Sequence, residues 1–301
     1  MSLFQVKDYS GWSDYEGSSE GSGRSEKKWL ISPSGEIGLF KFPKSELTYE
    51  HVSEHMAHQI GEIVNVPTAV VELGKYNGRM GSMSYLIRKS DEILIEGAQF
   101  ILGMHPNYDL DKMQDLDTQR YYSIDHIFEI TENTTIRNFW IEMMLFDFLI
   151  GNSDRHQNNW AFLLSTNNKT RPEMRFCPLY DNGSSLCCYV NDDQIEKYSN
   201  EASFTALADT RSKSIIRIDG GNKTRPTHRD VVTYLFDHYG NTKEIAKGFL
   251  YALNGERIQD LLNRYPDYVL PEQRKRLIFR FLQRKLDILR SIGEGEEYAN
   301  S

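Results

Sequence analysis

The chain has 301 residues, 39% of them apolar and 26% charged, and its 35 lysines and arginines against 43 aspartates and glutamates leave a net charge of −8. That length suits about two domains or one large two-lobed unit with a sizeable core. The acidic balance argues against direct nucleic-acid binding, and no apolar run approaches the roughly 18 residues of a membrane span. Cys177, Cys187 and Cys188 are odd in number, lack C-x-x-C spacing, and read as reduced thiols in a cytosol-like compartment. Met1 to Asp8 has neither the basic start nor the apolar middle of a secretion signal.

In chain order, strands are expected at 3–7, 29–31 and 36–42, the last two joined by the turn signal Pro33-Ser34-Gly35. Between the first two lies a glycine- and serine-rich loop, 16–25. Residues 48–64 switch to helical spacing, with Val52, Met56, Ile60 and Ile63 recurring at three and four. Strands return at 66–73 and 81–88 around Asn77-Gly78. Helices are then expected at 91–103, 120–130, 134–150, 227–239, 242–253, 255–264 and 271–291, interrupted by a hairpin of 160–164 and 174–177. The reading is an α+β, two-lobed chain: a small sheet-rich lobe with one main helix (1–89), a larger, mostly helical lobe (90–292) and a frayed acidic tail (293–301).

Chemistry concentrates in Gly151-Asn152-Ser153-Asp154-Arg155-His156-Gln157-Asn158-Asn159-Trp160, a polar loop braced by a helix before it and a strand after it. Asp154 and Asn159 are five apart, the separation of base and metal ligand in the kinase loop H-R-D-x-x-x-x-N, although here the histidine follows the aspartate. Asn159 precedes the first hairpin strand and Asp181 follows the second. An antiparallel hairpin lays those two ends side by side, about 4.8 Å between strands, close enough to share an oxygen-seeking cation such as Mg²⁺. Taken singly, each of these residues is as readily a turn or cap residue.

In the small lobe, alternation puts Lys41 on the face of Ile37 and Leu39, where its amine needs an anionic partner or must snorkel to water. The following helix offers Glu54 or Glu50 to orient it, and helical-wheel arithmetic does not separate the two. His51, His55 and His58 on that helix have metal-compatible spacing but no H-E-x-x-H order, so pairing with acidic neighbours is the simpler reading. The loop with Gly17, Gly21 and Gly23 can fold over phosphates through backbone N–H groups, or serve as a flexible connection.

Together, Gly151-Asn152-x-Asp154-Arg155-His156-x-x-Asn159-Trp160-x-Phe162-Leu163, Asp181-x-Gly183-Ser184-x-Leu186, Lys41-Phe42-Pro43 and Ser53-Glu54 resemble the HipA-like kinases over most of residues 15–190. The resemblance implies a bilobed protein-kinase-like fold that uses ATP and Mg²⁺ to phosphorylate serine or threonine of a protein. It implies Asp154 as catalytic aspartate, His156 by the phosphates, Asn159 and Asp181 on the metal, and Lys41 on phosphate with Glu54 orienting it. Gly21, Ser22 and Gly23 would cover the nucleotide, Tyr85-Leu86-Ile87 would form the hinge along adenine, and Tyr180 would join the nucleotide site. Autophosphorylation would fall on Ser18, Ser19, Ser22 or Ser25. It further implies a bacterial cytoplasmic protein, or an effector exported without a cleavable signal, with an antitoxin or other regulatory partner in toxin-type relatives. Asp-Arg-His-x-x-Asn also resembles the phosphoinositide-kinase loop, so a lipid kinase is a second reading. A silent nucleotide-binding interaction module is a third.

Overall fold

The computed structural model describes residues 2–16, 26–129, 134–167 and 173–295. Gly17, Ser18, Ser19, Gly21, Ser22, Gly23 and Ser25 lie outside the described residues. The first lobe is a six-stranded sheet of β1 (Lys7–Asp8), β2 (Ser13–Asp14), β3 (Lys27–Ile31), β4 (Ile37–Lys41), β5 (Val71–Tyr76) and β6 (Arg79–Tyr85), with α1 (Glu50–Val64) inserted after β4. Its order is β1-β5-β6-β4-β3-β2. Asn77 and Gly78, both at positive φ, make the tight β5–β6 turn that their sequence announces. Phe40 and Met83 fill the outer face with Tyr9, Leu30 and Phe42. The opposite face, carrying Leu39 and Lys41, turns toward α1 and the second lobe.

After β6 come β7 (Glu92–Glu96), α2 (Gly97–Met104), the short hairpin β8 (Tyr108–Asp109) and β9 (Gln114–Asp115), then α3 (Ile124–Glu129) and α4 (Thr134–Ile150). Next are β10 (Ala161–Ser165) and β11 (Met174–Phe176), and an irregular stretch with a 3₁₀ turn (Asp192–Ser199), α5 (Glu201–Thr205) and a π turn (Ala206–Thr210). The chain closes with α6 (His228–His238), α7 (Thr242–Ala252), α8 (Gly255–Asn263) and α9 (Glu272–Glu294). One apolar cluster runs from Val52, Met56 and Ile60 of α1 through Trp140 to Ile150 of α4 and into α9, so α1 is packed on the second lobe as well as on its own sheet.

Several expectations change. The helix expected at 91–103 is a strand and then a helix, because Ile93-Leu94-Ile95 pair antiparallel with Leu164-Leu163-Phe162. That gives the 160–177 hairpin a third strand, and an apolar run of this length does not separate strand from helix by periodicity. Of the described residues 120–129, only Ile124–Glu129 are helical, since Tyr121 and Ser123 bridge to Gln114 and Arg217. At the start of the chain only Lys7–Asp8 pair in a sheet. Phe4 instead donates its N–H to the Arg264 carbonyl at 2.7 Å and sets its ring 4.6 Å from His55 and 4.8 Å from Tyr265. At the other end α9 continues through Glu294 to a left-handed cap at Gly295. Residues 296–301 lie outside the described part.

Candidate active site

Lys41, at the end of β4, reaches across to α1 and to the loop after β11. Its Nζ lies 2.9 Å from Glu54 Oε1 and 3.1 Å from Asp181 Oδ1. Of the two acids left open by the helical wheel, the structure selects Glu54. Glu54 is 4% exposed and locked under the sheet, whereas the Asp181 side chain is 47% exposed and opens into the cleft. The Lys41 ammonium holds Asp181 below the usual carboxylate range, and the two carboxylates together raise Lys41 against its burial. Asp181 adopts a left-handed backbone (φ +56°), a conformation that costs a non-glycine residue energy and clusters at functional sites. Gly183 completes the turn: a Cβ there would stand 3.2 Å from both Glu54 Oε2 and the Glu50 carbonyl.

Asp154 lies across the cleft. Burial raises its carboxyl, and nearby Asp181 adds to this, while His156, Lys44 and Arg225 pull it back. Asn159 donates its side-chain N–H to the Asp154 carbonyl at 2.7 Å, which leaves its amide oxygen available. The hairpin places the Asn159 and Tyr180 carbonyls side by side: both accept from the same Arg155 nitrogen, at 2.7 and 2.8 Å. A cavity of about 720 Å³ between the lobes is lined by Lys41, Glu54, Ser82, Asp154, His156 and Asp181, among others. Within it, both Glu50 carboxylate oxygens and the Ser82 hydroxyl are buried without a partner, as expected of a cleft that receives a polar ligand.

The hinge residues divide. Tyr85 turns its hydroxyl away to Glu72 and Tyr9, and the Leu86 N–H is taken by the Ile37 carbonyl. Ile87 packs with Tyr180 against Ala161, Leu163 and Cys177. Among the described residues the α1 histidines join no cluster of three potential metal ligands. His55 Nδ1 bonds the Tyr265 hydroxyl at 2.7 Å and His58 Nδ1 the Thr68 hydroxyl at 3.1 Å, so hydroxyls replace the acidic partners expected from sequence. Burial pushes the Cys177 and Cys187 thiols up to about 12, which keeps them protonated and inert.

Sequence reasoning missed what holds the loop. Arg155, 1% exposed, pairs with Asp147 of α4 at 2.7 Å and donates to the Asn182 side chain. One guanidinium therefore ties α4, the Asp154 loop and the Asp181 loop together. Asn152 donates to the same Asp147. A carboxylate inside the apolar run 139–150 was the readable signal, because a buried charge requires a partner.

A second brace runs through His228. Its Nε2 meets the Asn152 carbonyl at 2.8 Å, and a carbonyl only accepts, so Nε2 carries the proton. Nδ1 then accepts from Ser212 Oγ at 3.0 Å, and Ser212 accepts from Lys285 Nζ at 2.9 Å. Burial lowers Lys285 from 10.5 to about 7. Between those values the unfolded chain holds a proton that the folded chain lacks, so this group makes stability rise with pH from about 7 to 10.5. Lys285→Met should remove that slope and raise stability at pH 7 by on the order of a few kcal/mol, since each pKa unit is worth about 1.4 kcal/mol. Melting curves across the window check this, and an unchanged slope would refute it.

A small sheet lobe carrying a lysine–glutamate pair, stacked on a helical lobe carrying the aspartate loops, defines a bilobed kinase-like fold. Residues 19–235 match the HipA-like C-terminal domain family, and the chain belongs to that family. The chain is 25% identical over 274 residues, 80% of its own length, to the serine/threonine-protein kinase CtkA of Helicobacter pylori, and spans 82% of that protein. It superposes on the crystal structure of that proinflammatory kinase with a TM-score of 0.81 at 19% identity, covering 98% of this chain and all of the other. It also superposes on one chain of the toxin–antitoxin complex of HipA, HipB and operator DNA from Shewanella oneidensis with a TM-score of 0.55 at 15% identity, covering 92% of this chain and 65% of that chain.

Proposed function

We propose that this chain transfers the γ-phosphoryl group of ATP to a serine or threonine hydroxyl of a protein. The observation that carries the reading is one amine, Lys41, held between Glu54 and Asp181 on the far side of a single cleft from Asp154. In this reading Lys41 contacts phosphate and Glu54 fixes its direction. Asp154 takes or steers the hydroxyl proton, with His156 beside the phosphates. Mg²⁺ fits the donor set, because the exposed Asp181 carboxylate and the available Asn159 amide oxygen are hard oxygen ligands. Among the described residues no cluster of three His, Cys, Asp or Glu side chains could hold a metal by itself, consistent with an ion that also needs phosphate oxygens. When bound, the ion would neutralise charge on the transferred group. Ile87 and Tyr180 would flank the base, and residues 17–25 would supply the glycine-rich cover and the autophosphorylated serine. By kinship with HipA, which is solved in complex with HipB, the partners would be a protein substrate and an antitoxin-type regulator. No helix of the described residues is long and apolar enough to cross a membrane.

The test is incubation with Mg·ATP, alone, with protein substrates and with phosphoinositide vesicles, read by intact mass, labelled phosphate and ADP release. Phosphoserine or phosphothreonine, on the chain or on a protein, supports the proposal. Label found only in lipid would turn the assignment to a lipid kinase. Nucleotide binding without ADP release would leave a silent binding module.

The raised carboxyl of Asp154 predicts the pH profile. A base must be ionised to work, so kcat/KM should fall with acid through a limb above the ordinary aspartate value of 3.8. Lys44 holds that carboxyl down, so Lys44→Met should move the limb further toward neutral pH. Coincident limbs in the two proteins would disprove the assignment.

A further inference from the structure

The segment 211–225, Arg-Ser-Lys-Ser-Ile-Ile-Arg-Ile-Asp-Gly-Gly-Asn-Lys-Thr-Arg, holds five cations and one acid in a chain whose net charge is −8. None of the five forms an ion pair with a described residue. Arg225 spends its donors on backbone carbonyls of Ser153, Lys213 and Ser214. Arg217 donates Nε to the Lys223 carbonyl, rests on the Tyr121 ring at 4.7 Å, and keeps one buried guanidinium nitrogen without a partner. Arg217 and Arg225 repel each other, and each is lowered by burial, with that repulsion lowering Arg217 further. The one acid, Asp219, is turned to the Gly221 N–H. Arg225 is drawn to the Asp154 carboxylate, while the exposed Arg211, Lys213 and Lys223 have no ion-pair partner among the described residues, so the loop offers cations to an anion from outside.

Its place says which anion. Arg225 is hydrogen-bonded to the residue before Asp154 at 2.6 Å, and Ile215 lines the cleft. The basic loop therefore borders the side of the cleft where an acceptor hydroxyl must approach Asp154. Lys44 stands near the same carboxylate from the other lobe. The acids lining the same cleft are Glu50, Glu54, Asp111, Asp154 and Asp181, with Asp111 carried on the β8–β9 hairpin. We propose that segment 211–225 docks acidic residues flanking the phosphorylated serine or threonine of a protein substrate. The proposal rests on the kinase reading above and adds the substrate class to it.

The test measures binding, so it needs no turnover. Fluorescein-labelled serine peptides with Asp/Glu flanks, and matched peptides with Asn/Gln flanks, are titrated with the full chain at low salt. The acidic peptide should bind about tenfold tighter, the size that two surface ion pairs supply. The exposed pair Lys213→Glu with Lys223→Glu should abolish that preference without changing the melting temperature. The same charge change on α7, Lys243→Glu with Lys247→Glu, should leave it intact. Equal affinities in the wild type, or equal losses in both variants, would overturn the proposal. So would tighter binding of a single-stranded oligonucleotide of matched charge. Selective binding with no phosphoryl transfer to any substrate would refute the kinase reading and leave the acidic docking surface standing.

Discussion

Arg155→Met should cost about 3–5 kcal/mol of stability, the usual loss when one member of a buried ion pair is removed. The guanidinium is 1% exposed and its partner Asp147 5%, so the orphaned carboxylate gains no water to replace the bond. The same change frees the Asn159 and Tyr180 carbonyls and the Asn182 side chain, all of which Arg155 holds. Asp147 keeps the Asn152 amide as its remaining partner. At roughly 2–4 °C per kcal/mol for a chain of this size, the melting temperature should fall by on the order of 10 °C. Arg155→Met combined with Asp147→Leu should recover part of the loss, because an apolar pair leaves no stranded charge. A single variant that melts within a degree or two of the wild type would show that the tie contributes little. If the double variant recovers stability and stays inactive, the role of Arg155 is to register the two loops.

The placing of the Asn159 carbonyl beside that of Tyr180, the residue before Asp181, was legible because it needs only local rules. An alternating run, a polar turn and a second alternating run fold back on themselves, and the two outer ends must meet. The face of Lys41 was legible for a similar reason, since alternation fixes it, while the choice between an anionic partner and snorkelling to water stayed open. Glu54 was not. Its helix is buried on nearly every side, with Ser53, Glu54, His55 and His58 as buried as Val52 and Met56, so an apolar stripe cannot say which carboxylate points at the sheet. Strand β7 was misread because Ile93-Leu94-Ile95 satisfy both periods, and the partner that decides between them lies about seventy residues away in β10. The brace from Lys285 through Ser212 and His228 to Asn152 joins four places in the chain with no repeating pattern between them, and only the packed structure brings them together.

Asp154→Ala should lower turnover by roughly 10² to 10⁴, the contribution of a positioned base, while leaving Mg·ATP binding near the wild-type value. The division of labour in the cleft requires both halves of that result. Asp154 shares no hydrogen bond with Lys41, and of the charges around it Lys44 and Arg225 would lie toward the acceptor while His156 and Asp181 would lie toward the phosphates. Asp181→Asn should behave differently. It takes one of the two carboxylates from Lys41 and one of the two proposed oxygen donors from the ion, so nucleotide binding should weaken and lose its dependence on Mg²⁺ concentration. Thermal shift against Mg·ATP separates the variants, and single-turnover transfer measures the loss at the chemical step. Near-normal transfer by Asp154→Ala would remove that residue from the chemistry. Equal loss of nucleotide binding in both variants would show that the two aspartates act on the same ligand, and the assignment of one to the hydroxyl and the other to the phosphates would fail.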